Sequence, residues 1–379
     1  MTQRTQYDAI IIGARCAGAS TAMLLARSGA RVLVADHGQP GTDTMSTHAL
    51  MRGAVFQLHK WGVLDAIRAE GTPAVRRTTF LYGSEEIDID IRASGGVDAL
   101  YAPRRSCLDL ALVREAAAAG AEFRFGTGCA GLLHDETGRV TGVRLRRANG
   151  QTEDVFSGIV IGADGRRSAV ARQVKARAVR TARFTTACTY AYFDGLPDRG
   201  FRWHHAPGAI GGIIPTNDGL SCVFVGVTPD RMKAFGSVTP EGLIAGNVPV
   251  LADEIAGARR VTSPVVFRGE PGYFRQSAGP GWALVGDAGY FRDPATAHGI
   301  TDALRDAEIL ANAIVGGAVA EFPALRMKLS GRFFDLTDRV ASLQWTLPEL
   351  MDLHRQLNED MKANQKWIAG MTSEMPVAA

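Results

Sequence analysis

The chain has 379 residues, of which 46% are hydrophobic and 21% charged, with a formal net charge of +3 at neutral pH. That length and composition suit a large buried core in two or three domains, or in one elaborated domain, and exclude a disordered or fibrous chain. The basic residues are spread out with no long run of Lys and Arg, so no nucleic-acid partner is expected.

In chain order, residues 7–18 (YDAIIIGARCAG) predict a buried strand, Ile10 to Ile12, followed by a tight turn at Gly13 and a helix over 19–27. This is the arrangement of a dinucleotide cradle, in which the helix points its first amides at a pyrophosphate and Gly18 lets helix pack on strand. The second glycine of the ideal pattern is replaced by Arg15, which either adds charge over phosphates or points outward. A second apolar strand over 30–35 ends in Asp36, an acid at the distance at which such folds hold an adenosine ribose. Residues 75–91 alternate like strands. Residues 103–112 (PRRSCLDLAL) predict a helix with Leu108 and Leu112 on one face.

Residues 159–168 (IVIGADGRRS) form a strand ending in Asp164-Gly165, where backbone amides can face a phosphate-rich ligand and the acid can cap the next turn. Residues 184–274 hold many short β-like runs separated by Gly, Pro and Asn-Asp-Gly turns, and these should pair with 75–91 into one sheet. Within them, 231–258 reads as helix interrupted near Pro240 and Pro249. Residues 281–288 (GWALVGDA) give another buried strand ending in Asp287. The following GYFRDPATAHG places Pro294 in a rigid turn before a helix that runs to about 314. Helices are expected over 322–345 and 348–368, with a disordered tail.

The five cysteines, Cys16, Cys107, Cys129, Cys188 and Cys222, contain no C-x-x-C pair and make an odd total. That argues against a disulfide framework and a zinc site, and for a reducing compartment. The polar first six residues lead directly into a strand, and no apolar stretch reaches the roughly 18 residues that span a bilayer. A cytoplasmic protein without an integral membrane segment is the expectation.

The three strand-turn segments, in this order, resemble the FAD-dependent monooxygenases of the aromatic-hydroxylase type, a family that shades into flavin-dependent halogenases and geranylgeranyl reductases. The resemblance covers the chain to about residue 320. It implies an α/β protein: a Rossmann-like FAD-binding domain built from residues 1–74, 101–182 and 279–322, an inserted, mostly antiparallel β-sheet substrate domain from 75–100 and 183–278, and C-terminal helices over 323–379. It implies that Gly13, Ala14, Arg15, Cys16, Ala17 and Gly18 face the FAD pyrophosphate, and that Asp36 takes the adenosine ribose. Arg105 stands where the family has an arginine on the flavin, and Ala130 where its backbone pairs with adenine. Asp164 and Gly165 match the family's Asp-Gly motif near the pyrophosphate, and Asp287 matches the acid on the ribityl chain. Pro294, Gly299 and Ile300 match the segment beneath the isoalloxazine ring.

The resemblance also implies FAD as resident cofactor and NAD(P)H as a co-substrate; with no third Rossmann-like half expected, the nicotinamide docks transiently at the flavin or electrons come from a partner reductase. Three readings stand. The first is monooxygenation, with dioxygen, of a small hydrophobic or aromatic molecule. The second is reduction of carbon–carbon double bonds, and the third a non-catalytic flavin redox sensor. A halogenase is disfavoured, because residues 210–215 (IGGIIP) keep the Ile-Pro of that branch's Trp-x-Trp-x-Ile-Pro signature but neither tryptophan. His48 and His298 are the candidate catalytic groups, each able to protonate an intermediate or position substrate, or simply to hydrogen-bond backbone. Trp203, His204 and His205 are candidate cavity residues, with neighbours on a strand facing opposite ways. A homodimer is possible through the C-terminal helices.

Overall fold

A computed structural model describes residues 6–236 and 238–371. The apolar strand Tyr7–Ile12 is flanked in parallel by Val32–Asp36 and Thr152–Gly162, as a strand buried on both faces requires. Glu122–Phe125 extends the sheet on one side and Trp282–Leu284 on the other, both in parallel. The carboxyl ends of four strands therefore open on one edge, from which Gly13, Asp36, Ala163 and Val285 lead out. In open α/β sheets this is the edge where ligands bind. The helices Cys16–Arg27, Arg105–Ala118 and Gly299–Val315 pack together over one face. Thr127–His134 and Val140–Arg147 form an antiparallel meander with the first half of the long strand Thr152–Gly162.

A second eight-stranded sheet lies across the open edge. Its main order runs Arg259–Arg260, Ala187–Asp194, Ser221–Val227, Ala209–Pro215, Phe201–Ala206, Arg77–Tyr82 and Glu85–Asp90, with Val265–Phe267 also paired to Ala187–Asp194. All pairs are antiparallel except Arg77–Tyr82 with Phe201–Ala206, so the early strand-like segment does join the later ones in one sheet. Period-two alternation splits the faces. Ala187, Ala191, Phe193, Val223 and Val225 pack under the short helices Pro229–Phe235, Pro240–Asn247 and Pro249–Glu254. Each begins with a proline, where a missing N–H costs nothing: Pro240 and Pro249 are the breaks expected in 231–258, and Pro229 precedes that range. Tyr190, Tyr192, Phe201, Trp203 and Phe224 face the other way, into the core shared with the first sheet.

The C-terminal helices Phe322–Ala341 and Leu347–Gly370 close the assembly, the second opened by a capping box between Thr346 and Glu349. Their apolar faces pack against Tyr82 and Ile210 of the second sheet. Arg326, fully buried, ties Phe322–Ala341 to the cofactor-side sheet: it bonds Asp306, the Leu284 carbonyl and Ser277. The expected tail falls almost wholly outside the described residues. Among the described residues no helix is long and apolar enough to cross a membrane.

Candidate cofactor cleft and active site

A cleft of about 740 Å³ runs along the open edge of the first sheet and under the second. At its start, the turn geometry explains the sequence residue by residue. Gly13 has φ +108°, and a Cβ there would lie 2.4 Å from the Ala163 carbonyl oxygen; a Cβ on Gly18 would lie 1.8 Å from the Gly13 carbonyl oxygen. Arg15 has φ −89° and ψ −170°, extended backbone open to any residue, so the turn has no need of its missing second glycine. Its side chain is exposed at the cleft wall. The helix Cys16–Arg27 has no side-chain cap and no acid in its first turn, leaving a positive helix end facing the cleft.

Asp36 does more than wait for a ribose. Its carboxylate accepts from the Ala14 and Gly38 amides, each at 2.7 Å, which braces the cradle while the residue lines the cleft. Arg105 lines the cleft too, but its guanidinium is held bidentate by Asp109 at 3.0 Å, and the same carboxylate accepts from the Cys16 amide at 3.1 Å. This clamp joins the cradle to the helix Arg105–Ala118. Asp164 caps the helix Ala169–Gln173 by accepting from the Ala169 amide at 2.6 Å and from the Ser168 hydroxyl. Among the described residues no hydrogen bond or ion pair reaches the carboxylate of half-buried Asp287, and burial raises that carboxyl to about 6, against the opposing pull of Arg166 and Arg105. An acceptor that lines the cleft with no such partner fits a polyhydroxyl chain.

Gly13, Arg15, Cys16, Ala17, Asp36, His48, Arg105, Asp164, Gly165, Asp287, Pro294, Gly299 and Ile300 all line this one cleft. Ala14 and Gly18 shape it from behind. Ala130 is exposed beside a register shift between Cys129 and Gly131, and its neighbours Thr127, Gly128 and Cys129 line the cleft. One expectation needs correction. His298 points away from the cleft, with Nδ1 against the Thr296 carbonyl, Nε2 2.8 Å from Met361 Sδ and its ring 4.8 Å from Phe333. Burial and the nearby Arg292 push its imidazole down to about 3, so it is a neutral packing group. Trp203, His204 and His205 do not line the cleft. Trp203 and His205 stack against Phe80, and His204 faces Glu254 on the opposite side of the sheet.

The cleft lining also includes Cys188, Tyr190, Phe267, Phe291 and His48, with the Arg166 guanidinium over the rings of Phe267 and Phe291. His48 is 1% exposed and sits at φ +68°, a conformation that a non-glycine residue holds only where its surroundings enforce it. Its Nε2 bonds the Tyr192 hydroxyl and its ring stacks on Tyr192 at 5.7 Å. Sequence reading missed Tyr192, Asp43 and Arg104. The alternation in residues 187–193 (ACTYAYF) marks Cys188, Tyr190 and Tyr192 as one face, but which face looks at the cleft is set by the packing of the two sheets.

This is a dinucleotide-binding flavoprotein fold: a parallel sheet with its cradle, a roofing antiparallel sheet, and a polar-to-aromatic cleft between them. Residues 6–318 match the family model described as "FAD binding domain", and the chain belongs to that family, with FAD as its cofactor. The chain is 28% identical over 314 residues to the digeranylgeranylglycerophospholipid reductase of Methanosarcina mazei, spanning 79% of this chain and 73% of that one. It is likewise 28% identical over 354 residues to the menaquinone reductase of Mycobacterium tuberculosis, spanning 89% of this chain and 83% of that one. Among solved structures, a triple mutant of the flavin-dependent brominase Bmp2 superposes with a TM-score of 0.79 over 96% of this chain and 94% of its own, at 19% identity. That likeness establishes the shared fold alone.

Proposed function

We propose that this FAD-dependent oxidoreductase reduces a carbon–carbon double bond in an apolar compound, using NAD(P)H as transient electron donor. The observation that carries the reading is the aromatic part of the cleft lining, Tyr190, Phe267 and Phe291, beside which lies the His48 imidazole, bonded to the Tyr192 hydroxyl. Double-bond reduction consumes one hydride and one proton, and FAD when bound and reduced supplies the hydride. Similarity to enzymes named digeranylgeranylglycerophospholipid reductase and menaquinone reductase supports it.

The chain's own residues have definable parts in this reading. The helix end at Cys16 and the guanidinium of Arg15 would bind the pyrophosphate, with Asp164 and Gly165 beside it, and Asp36 and Thr127 to Cys129 would frame the adenosine. Asp287 would accept ribityl hydroxyls. Pro294, Gly299 and Ile300 would hold the flavin end, and Tyr190, Phe267 and Phe291 would exclude water from it.

A second reading is hydroxylation or epoxidation of a small hydrophobic or aromatic molecule with dioxygen. The observation in its favour is the cleft volume, about 740 Å³ for cofactor and substrate together, which leaves space for a compact molecule rather than a long lipid. In either case the enzyme is read as cytoplasmic. The test is to follow NADH and NADPH oxidation by the yellow holoprotein, with and without oxygen, against prenyl alcohols, quinones and phenols. Anaerobic turnover yielding a saturated product supports the reductase. Substrate-stimulated oxygen uptake, with one atom of labelled dioxygen in the product and no anaerobic turnover, overturns it in favour of the second reading.

A further inference from the structure

Five charged side chains run from the cleft into the core. Arg292 and Asp302 line the cleft and form an ion pair, Nη2 to Oδ2, at 2.6 Å. The other oxygen of Asp302, Oδ1, meets Arg305 Nη1 at 3.1 Å; Arg305 Nη2 meets Asp306 Oδ1 at 2.8 Å, and Asp306 Oδ2 meets Arg326 Nη1 at 3.2 Å. No side chain of the five is more than 9% exposed. Three guanidiniums thus face two carboxylates, and the end of the line that reaches the cleft is a cation with its counter-ion.

Arg292 is the least satisfied of the three arginines. Arg305 also donates to Ser330, and Arg326 to Ser277 and the Leu284 carbonyl. The Nε and Nη1 of Arg292 are buried without a hydrogen-bond partner, and its guanidinium lies 3.9 Å from the centre of the Phe333 ring. A buried cation short of hydrogen bonds costs stability, so its position calls for a reason. The adjacent Asp293 forms no ion pair among the described residues; its carboxylate accepts from the amide and hydroxyl of Thr186 and from the Ala295 amide. The field of the pair reaches the groups around it. Beyond the effect of burial, Arg292 pushes the His298 imidazole down, and Asp302 pushes the Asp287 carboxyl up against Arg166 and Arg105.

We propose that Arg292 and Asp302 set the reduction potential of the bound FAD, Arg292 favouring the reduced form and Asp302 opposing it. The proposal rests on the placement of the flavin end at Pro294, Gly299 and Ile300, and holds whether the substrate is reduced or oxygenated. Arg292 leads into the turn that carries Pro294, and Asp302 stands in the first turn of the helix that opens with Gly299 and Ile300. There the acid dampens the positive helix end, and Arg292 offsets the acid. NAD(P)H passes a hydride, two electrons with one proton, to the neutral oxidised flavin and leaves as NAD(P)⁺, so the reduced flavin carries one negative charge. A nearby buried cation stabilises that charge and a buried anion destabilises it, with no contact to the ring required. At an effective dielectric of about 20, a unit charge roughly 10 Å away changes such an equilibrium on the order of tenfold. Arg292 acts through its field, because its guanidinium is turned to Asp302 and Phe333.

The test measures the midpoint potential of the FAD-loaded protein, wild type and three variants, by anaerobic titration against reference dyes. The variants are Arg292→Met, of similar volume and leaving Asp302 paired with Arg305; Asp302→Asn; and Arg292→Lys, which keeps the charge. R292M should disfavour the reduced flavin about tenfold, a shift of about 30 mV to more negative potential. D302N should shift by a similar amount to more positive potential, and R292K should stay within about twofold of wild type in the same equilibrium. Opposite signs are the signature, because loosened packing or added water at the flavin displaces both variants alike. An unchanged potential in R292M, or shifts of one sign in R292M and D302N, overturns the proposal. If D302N does not retain FAD, the other two decide: R292K near wild type with R292M shifted upholds it, and R292K shifted as far as R292M overturns it. The visible flavin spectrum separates two failures. A spectrum altered in R292M at unchanged potential overturns the tuning alone, whereas an unaltered spectrum and potential overturn the placement of the flavin end as well.

Discussion

At the scale of single residues, the cradle shows how a consensus can be broken where its physical reason is absent. Glycine is enforced at 13 and 18 by carbonyl oxygens that leave no space for a Cβ, whereas position 15 has ordinary extended backbone. Arg15→Ala should therefore fold normally and weaken FAD binding about fivefold, the effect of losing about 1 kcal/mol from a solvent-exposed charge–phosphate contact, with the difference shrinking in 0.5 M salt. Titration by flavin fluorescence at two salt concentrations checks it; equal weakening at both would argue against a charge effect. Asp287 gives the opposite lesson, a residue whose site costs stability. Its folded carboxyl is raised to about 6 from an ordinary 3.8, so the folded protein holds that proton more tightly than the unfolded chain. Its contribution is complete below about pH 4 and is lost as pH rises through 6. Cofactor-free Asp287→Asn should thus match or exceed wild type in melting temperature at pH 7.5 and lose less between pH 5 and 7.5, while binding FAD more weakly. Thermal melts of the apoproteins at both pH values measure this.

At the scale of elements, the helix Phe322–Ala341 is anchored by its apolar stripe and by one buried charge. Arg326 bonds Asp306 at 3.2 Å and Ser277, and stacks on Phe322 at 4.7 Å, while Asp306 also holds Arg305 at 2.8 Å. Removing one member of a buried network costs about 3–5 kcal/mol. Because Asp306 would keep Arg305, Arg326→Met should fall near 3 kcal/mol, measured by urea denaturation; a loss below 1 kcal/mol would mean the apolar contacts alone hold the helix. None of this was visible in the sequence, where 322–345 reads as a plain amphipathic helix. The short helices after residue 228 were legible, because each proline marks a start, as were the strand ends at Gly13, Asp164 and Asp287, because an apolar run meeting Gly or Asp is a local signal.

At the scale of the whole molecule, the cleft draws its walls from both sheets and from the loop 42–51, so cofactor and fold should stabilise each other. FAD at 100 times its dissociation constant should add about 2.7 kcal/mol to unfolding, and AMP, reaching only the Asp36 end, should stabilise without protecting the loop 42–51 from proteolysis. Protection of that loop by AMP alone would contradict the division of the cleft into an adenosine end and a flavin end. The sequence by itself determined the cofactor cradle, the order of its strand ends and the existence of a roofing sheet, since backbone turns, apolar runs and period-two alternation are local properties of the chain. Only the tertiary structure decided which histidine faces the cleft and which is packed against Met361, that Arg105 is clamped by Asp109, and that Tyr192 and Asp43 meet His48. Tyr192 lies 144 positions from His48, and a side chain's partner at that separation is fixed by how two sheets dock.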